Sequence, residues 1–96
     1  MSEKSLQNKI MKLCKEKEVL CEKLESRSSR GWPDLFLLYE GRCVFLEIKN
    51  PNGRGRISPV QLRKHEDLIL HGGWVFVVSE MVIVDTIIRS LIAGKR

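Results

Sequence analysis

The spacing of apolar residues predicts a helix and then a strand in the first quarter of the chain. The helix covers residues 2–15, with Ser2 or Ser5 able to cap its start. Its apolar positions recur at helical spacing among charged residues: Leu6, Ile10 and Leu13. Residues 19–24 lean toward β-branched and apolar types and predict a short strand. A polar, basic loop over residues 25–31 follows it.

Two apolar runs, residues 35–39 and 43–49, predict a β-hairpin, because only Glu40-Gly41-Arg42 separates them. If Glu40 and Gly41 form a two-residue turn, facing residues have numbers that sum to 81. Asp34 then faces Glu47. Side chains alternate along a strand, so Lys49 points the same way as Glu47.

The second half of the chain predicts a helix, a strand and a helix. Residues 50–56 are rich in glycine and turn-forming residues and predict a loop. The helix over residues 58–71 begins with Ser58-Pro59 and ends at Gly72-Gly73. Residues 74–78 form an uninterrupted apolar run, typical of a strand buried on both faces. Ser79 is then expected to cap a last helix that ends near Gly94, giving an α/β fold of order α-β-β-β-α-β-α.

The composition predicts a single folded domain with a basic net charge. The 96 residues predict one domain over 1–96, and 43% hydrophobic with 30% charged residues excludes a disordered chain. Seventeen Lys and Arg against twelve Asp and Glu give a net charge of +5, which favours a polyanionic partner. The charged first twenty residues and the lack of a long apolar run predict no signal peptide, no membrane contact and a cytoplasmic protein.

The three cysteines are expected to be reduced thiols. They are odd in number, lack the Cys-x-x-Cys spacing, and stand apart from both histidines: Cys14, Cys21 and Cys43. A zinc site therefore has little support.

Candidate chemistry lies where the hairpin brings Asp34 and Glu47 together. Facing residues on one side of an antiparallel pair have Cβ atoms about 4.5–5.5 Å apart, where like charges are destabilising. One interpretation is an ordinary surface cluster in which Lys49 neutralises the two acids. The apolar strands around the acids favour a second interpretation, a bound cation.

Oxygen ligands suit Mg²⁺ or Mn²⁺ better than zinc. A metal site could use Asp34, Glu47 and the main-chain carbonyl of Ile48. Such an ion polarises a phosphoryl oxygen and lowers the pKa of water. Lys49 could then orient the attacking hydroxide or stabilise the negative charge that develops.

The pair Pro33-Asp34 followed by Glu47-Ile48-Lys49 resembles the PD-(D/E)xK signature of the restriction-endonuclease-like phosphodiesterase superfamily. A longer pattern is similar to the virus-type replication-repair nuclease domain, VRR-NUC. It comprises Arg30-Gly31-Trp32-Pro33-Asp34-Leu35, Gly41-Arg42, Phe45-Leu46-Glu47-Ile48-Lys49, Ile57-Ser58-Pro59-Val60-Gln61 and Gly72-Gly73.

The resemblance implies a restriction-endonuclease-like core, a mixed sheet flanked by helices. It also implies a metal-dependent endonuclease on DNA in a bacterial or phage-infected cell. Stand-alone members are associated with homodimers that cleave branched DNA such as four-way junctions. No Walker pattern is present, so no nucleotide cofactor is expected.

The resemblance also assigns roles to residues of this sequence. Asp34 and Glu47 would be metal ligands, Lys49 the catalytic lysine, and Gln61 a further active-site residue. Gln61 has a second interpretation, since Ser58-x-x-Gln61 fits a helix capping box.

The family places an acid in the first helix to complete the metal site. Two positions match, Glu3 and Gln7, which are four residues apart and share a helical face. A glutamine binds Mg²⁺ more weakly than a carboxylate. The Gln7 alignment therefore favours an alternative function, a weakened or inactive DNA-binding module with the same fold.

Basic residues cluster before Asp34 and after Lys49, where they could contact DNA phosphates: Arg27, Arg30, Arg54, Arg56, Arg63 and Lys64. A solvated surface is the ordinary explanation of such a run. The last helix carries more apolar residues than one core-facing stripe needs, which suggests self-association. An assembly protein with another acidic partner is a further alternative.

Overall fold

The fold was obtained as a computed structural model, which describes residues 2–24, 30–50 and 56–94. The elements follow the predicted order α-β-β-β-α-β-α, and the predicted α/β class is confirmed. They are α1 (Glu3–Glu16), β1 (Leu20–Lys23), β2 (Leu35–Tyr39), β3 (Arg42–Ile48), α2 (Pro59–Leu70), β4 (Trp74–Val78) and α3 (Met81–Ala93).

The four strands form one mixed sheet in the order β1-β2-β3-β4. β1, β2 and β3 are antiparallel neighbours, and β4 runs parallel to β3. The β2–β3 turn has positive φ at both central residues, 47° at Glu40 and 80° at Gly41, as a two-residue hairpin turn requires. Tyr39 pairs with Arg42 and Leu35 with Leu46, so the predicted register is confirmed.

The helices lie on opposite faces of the sheet. Val44, Leu46 and Ile48 belong to one buried cluster with residues of α1 and α3. Glu47 alternates with them and approaches His65 of α2, which places α2 on the other face. The core is therefore shared unequally, and the α1–α3 face holds most of it. Its members are Leu6, Ile10, Cys14, Val19, Leu35, Leu37, Val44, Leu46, Ile48, Val78, Val84, Ile87, Ile88 and Leu91.

Helix caps agree with the sequence at two of three starts. The Ser2 hydroxyl accepts from the Ser5 N–H at the start of α1, and Ser58 caps α2. The prediction that Ser79 caps the last helix is wrong, because α3 begins at Met81 and its N-cap is Glu80, with no side-chain cap bond. The end of α3 near Gly94 is confirmed, with Gly94 in the left-handed conformation at φ 71°.

The expectation that residues 74–78 form a strand buried on both faces is also wrong. Within the described residues β4 pairs only with β3 and is an edge strand, and Val77 is 49% exposed. The apolar residues of β4 lie on two faces of the sheet that differ in burial. Val78 enters the α1–α3 core, whereas Val77 lies on the α2 face, where α2 does not cover it.

The cysteines are free thiols, with Cys14 buried and Cys21 and Cys43 half-buried. Burial raises the pKa of Cys43 above its ordinary value. In the part of the chain that the structure describes, no helix has the length and apolar content needed to cross a bilayer.

Candidate active site

Asp34 reaches the sheet through a segment that passes very close to α2. Gly31 has φ 79°, and a Cβ built on it would lie 2.5 Å from the main-chain oxygen of Val60. Only glycine combines this conformation with so close an approach. Pro33 is buried next to Asp34, whose Oδ2 accepts a hydrogen bond of 2.7 Å from the Ile48 N–H. Asp34 is thus fixed at the open end of the hairpin.

Glu47 is the acid in this structure whose burial most needs an explanation. It is 3% exposed, and Glu47 and His65 are the buried polar or charged residues among those described. Burial, repulsion by Asp34 and a hydrogen bond to Asp34 together raise the pKa of Glu47 to about 7, against the opposing effect of Lys49. The two carboxyl groups are close enough to compete for one proton.

Two basic groups approach the two oxygens of Glu47. Lys49 Nζ lies 3.7 Å from Oε2, and His65 Nε2 lies 3.6 Å from Oε1. Oε1 and Nε2 are both buried without a hydrogen-bond partner among the described residues. Burial lowers the pKa of His65, and so does Lys49, against a smaller opposite effect of Asp34.

His65 did not enter the predicted set of site residues. It lies eighteen positions beyond Glu47 in the sequence and meets it only because α2 crosses the face of β3. In the sequence, the position of His65 one helical turn after Gln61 favours a histidine in the core or at the rim of the site, with a general-base role as a lesser alternative.

An open cleft of about 340 Å³ lies against Asp34. Ile48 contributes to its wall, and both first-helix candidates, Glu3 and Gln7, line it. Gln7 is half-buried and Glu3 is exposed. Two lysines from α1 and β1 complete the lining: Lys4 and Lys23. The cleft brings together the residues that the sequence offered as oxygen ligands, apart from Glu47, which lies buried beside Asp34.

The donor set fits a hard divalent cation. Asp34 and Glu47 supply two adjacent carboxylates, and the buried Oε1 of Glu47 has no hydrogen-bond partner among the described residues. Among the described residues no group of three or more His, Cys, Asp and Glu side chains could hold a metal. Mg²⁺ also accepts amide, main-chain and water oxygens as ligands, so two carboxylates are enough to begin such a site.

Comparison with known proteins identifies the family. No family model matches the sequence, and no curated protein matches it. A solved structure of a VRR-NUC domain is 32% identical, covers 85% of this chain and 92% of its own, and superposes with a TM-score of 0.65. The chain belongs to the VRR-NUC family. It has the nuclease-type fold of that family, and the predicted membership is confirmed.

Gln61, which the VRR-NUC pattern offers as a site residue, takes part in a capping box. Its Oε1 accepts from the Ser58 N–H at 3.0 Å, and the Ser58 hydroxyl accepts from the Gln61 N–H at 3.1 Å. Gln61 is not among the residues that line the cleft at Asp34. Its capping role is therefore established, and a role in the VRR-NUC site remains a prediction.

Three of the basic residues of this VRR-NUC domain line a second cleft, of about 420 Å³, beside α2: Arg30, Arg63 and Lys64. We call it the basic cleft. The Lys64 ammonium lies 5.1 Å from the centre of the Trp32 ring, and one acid, Asp67, also lines the cleft. Arg56 is exposed at the start of the segment leading to α2. Arg27 and Arg54 lie outside the described residues.

Proposed function

We propose that this protein is a divalent-metal-dependent DNA endonuclease that hydrolyses phosphodiester bonds. The observation that carries the proposal is the buried carboxylate of Glu47, adjacent to Asp34 and 3.7 Å from the Lys49 ammonium. The two acids at the open end of the hairpin repel each other, Lys49 offsets part of that repulsion, and a divalent cation would offset the rest. Membership in the VRR-NUC family supports the same activity.

Asp34 and Glu47 would hold the cation, with the main-chain carbonyl of Ile48 and either Glu3 or Gln7 as further oxygen donors. A bound Mg²⁺ or Mn²⁺ supplies a Lewis acid that polarises the phosphoryl group and makes water a better nucleophile. The hydrogen bond from the Ile48 N–H holds the Asp34 carboxylate in place before any ligand arrives.

Lys49 is the residue placed to act on the substrate. Its side chain is 18% exposed, and the neighbouring Glu47 carboxylate restricts the rotation of its ammonium group. From this position it stabilises negative charge on the phosphate as that charge develops. Gln61 could act beside it, using the amide nitrogen that the capping box leaves free.

DNA would be held by the cationic groups around the site. Arg30, Arg63 and Lys64 supply them in the basic cleft, and Arg27, Arg54 and Arg56 belong to the two segments that flank Asp34 and Lys49. Contacts of this kind bind phosphates regardless of sequence and weaken as salt increases.

Branched DNA and a homodimer are the finer parts of the proposal. The exposed apolar residues at the start of α3, Val82 at 66% and Ile83 at 50%, support self-association. A two-fold dimer would present two active sites to the two strands of a symmetric junction.

Incubation with labelled linear, nicked, flapped and four-way DNAs in Mg²⁺ or Mn²⁺ tests the activity, and a mass measurement in solution tests the dimer. We expect metal-dependent cleavage with the four-way junction cut best. Absence of cleavage on every substrate with either metal would contradict the endonuclease proposal.

A second candidate is a DNA-binding module that has lost catalysis. It is favoured by Gln7, an amide rather than an acid, in the cleft beside Asp34. Calorimetric titration with Mn²⁺ distinguishes the two, because the inactive module would bind DNA while binding the metal poorly.

A further inference from the structure

A histidine, His65, is buried against the Glu47 carboxylate, and its Nε2 has no hydrogen-bond partner among the described residues. His65 is the buried residue of α2, and the ordinary occupant of such a position is an apolar side chain. Its Nε2 and the Glu47 Oε1 are separated by 3.6 Å, and neither makes a hydrogen bond to any described residue. Unsatisfied buried polar atoms are rare in folded proteins, and two that face each other call for a cause.

The two atoms are chemically complementary. A carboxylate only accepts hydrogen bonds, and an imidazole with hydrogen on Nε2 donates one in either protonation state. Their separation exceeds the range of about 2.7–3.2 Å for an N–H···O bond, so a shift of under about 1 Å would form it. The other oxygen of Glu47 faces Lys49.

We propose that His65 is a positioning residue for Glu47: its Nε2–H donates a hydrogen bond to Oε1 when the carboxylate serves as a ligand to the divalent cation. The bond would fix the rotation of the carboxylate and leave its other oxygen to the cation. Outer hydrogen-bond partners of metal ligands commonly act in this way. The role rests on the proposed function, because without a bound cation Glu47 needs no fixed orientation.

Three variants of the full chain separate this role from simple packing. His65→Leu removes the donor and keeps an apolar side chain in the same space. His65→Gln keeps an N–H at about the reach of Nε2. His71→Leu is the matched control, since His71 is an exposed histidine at the end of the same helix. Thermal melting in a chelator checks that each variant folds.

The first measurement is calorimetric titration with Mn²⁺ in the absence of DNA. We expect His65→Leu to raise the Kd for Mn²⁺ by about 10- to 100-fold, the usual effect of losing such a partner. His65→Gln should recover most of the affinity, and His71→Leu should behave as the wild type does. A residue that only packs would give no recovery by glutamine.

The second measurement is cleavage at limiting Mn²⁺. We expect His65→Leu to lower kcat while the KM for DNA stays unchanged, because His65 does not line the basic cleft. Wild-type Mn²⁺ affinity in His65→Leu, or equal losses in His65→Leu and His65→Gln, would overturn the positioning role while leaving the nuclease proposal intact. A wild-type protein that neither binds Mn²⁺ nor cuts DNA would overturn both.

Discussion

The Asp34 carboxylate accepts a hydrogen bond of 2.7 Å from the main-chain N–H of Ile48, the residue that follows Glu47. This bond ties the loop before β2 to the end of β3 and holds Asp34 beside the buried Glu47. The two acids are therefore brought together by the backbone of the hairpin. Their mutual repulsion is a built-in instability that a divalent cation would relieve.

Without metal, replacing Glu47 by glutamine should stabilise the protein. Burial and Asp34 raise the pKa of Glu47 from 4.5 to about 7, so the native state above that pH contains a buried charge without full compensation. The amide carries no charge and can donate to Asp34. We expect the free energy of unfolding of Glu47→Gln in a chelator to exceed that of the wild type by about 1–3 kcal/mol near pH 8.

The raised pKa of Glu47 also predicts how the free energy of unfolding changes with pH. Between pH 4.5 and about 7 the native protein retains a proton on Glu47 that the unfolded chain has released. Stability of the wild type should therefore fall as pH rises through this window, and Glu47→Gln should lack that part of the decrease. Denaturant titrations across the window measure both. If the free energy of unfolding changed with pH in the same way in both proteins, the burial of Glu47 would not be costing stability.

Substituting the arginines of the basic cleft should flatten the salt dependence of DNA binding. Arg30 and Arg63 line this cleft, where the basic residues outnumber the one acid, Asp67. Each phosphate contact contributes about 0.9 to the slope of log K against log salt, so the double alanine variant should lose about 1.8. Binding is measured in a chelator to prevent cleavage. Arg89→Ala is the control, because Arg89 pairs with Asp85 on α3, away from the cleft.

Ser58→Ala and Gln61→Ala distinguish the two roles of Gln61. Both variants break the capping box, and each should lower the free energy of unfolding by about 0.5–2 kcal/mol. If Gln61 also acts in the site, only Gln61→Ala should lose cleavage activity under conditions where both variants are folded. Equal cleavage activities of Ser58→Ala and Gln61→Ala would mean that Gln61 acts only in the capping box.

Gly31→Ala should destabilise the approach of Asp34 to the site. The added Cβ would lie 2.5 Å from the Val60 oxygen in a backbone conformation with φ 79°. Left-handed backbone alone costs about 1–2 kcal/mol for a residue with a Cβ. Gly72→Ala measures the cost of the left-handed backbone without a steric clash, since Gly72 has φ 92° and open space around it. Thermal melting should therefore show a larger loss for Gly31→Ala, and equal losses would mean that the Val60 contact relaxes freely.

Local rules were enough to predict the hairpin and the meeting of its two acids. A turn with a glycine at its second position fixes the register of β2 and β3, and the register fixes which residues face each other. The facing of Asp34 and Glu47 follows from those rules and from side-chain alternation, without knowledge of any other element.

Features that depend on packing between distant elements could not be predicted in the same way. The contact of His65 with Glu47 requires the position of α2 across the sheet, and the exposure of Val77 requires knowing that β4 ends the sheet. An apolar run is compatible with a central or an edge strand, because periodicity does not report neighbours. Sequence likewise offers Glu3 and Gln7 equally, and both line the cleft.

The central claim is that the Glu47 carboxylate binds the divalent cation that catalysis requires. Glu47→Gln tests this claim most directly. This variant keeps the shape of the side chain and is expected to fold at least as well as the wild type, so unfolding would not explain a loss of activity. Cleavage of a labelled four-way junction is followed in excess Mn²⁺ with both proteins at equal concentration. The account predicts cleavage by the wild type and none above background by Glu47→Gln. Cleavage by Glu47→Gln at the wild-type rate would contradict it.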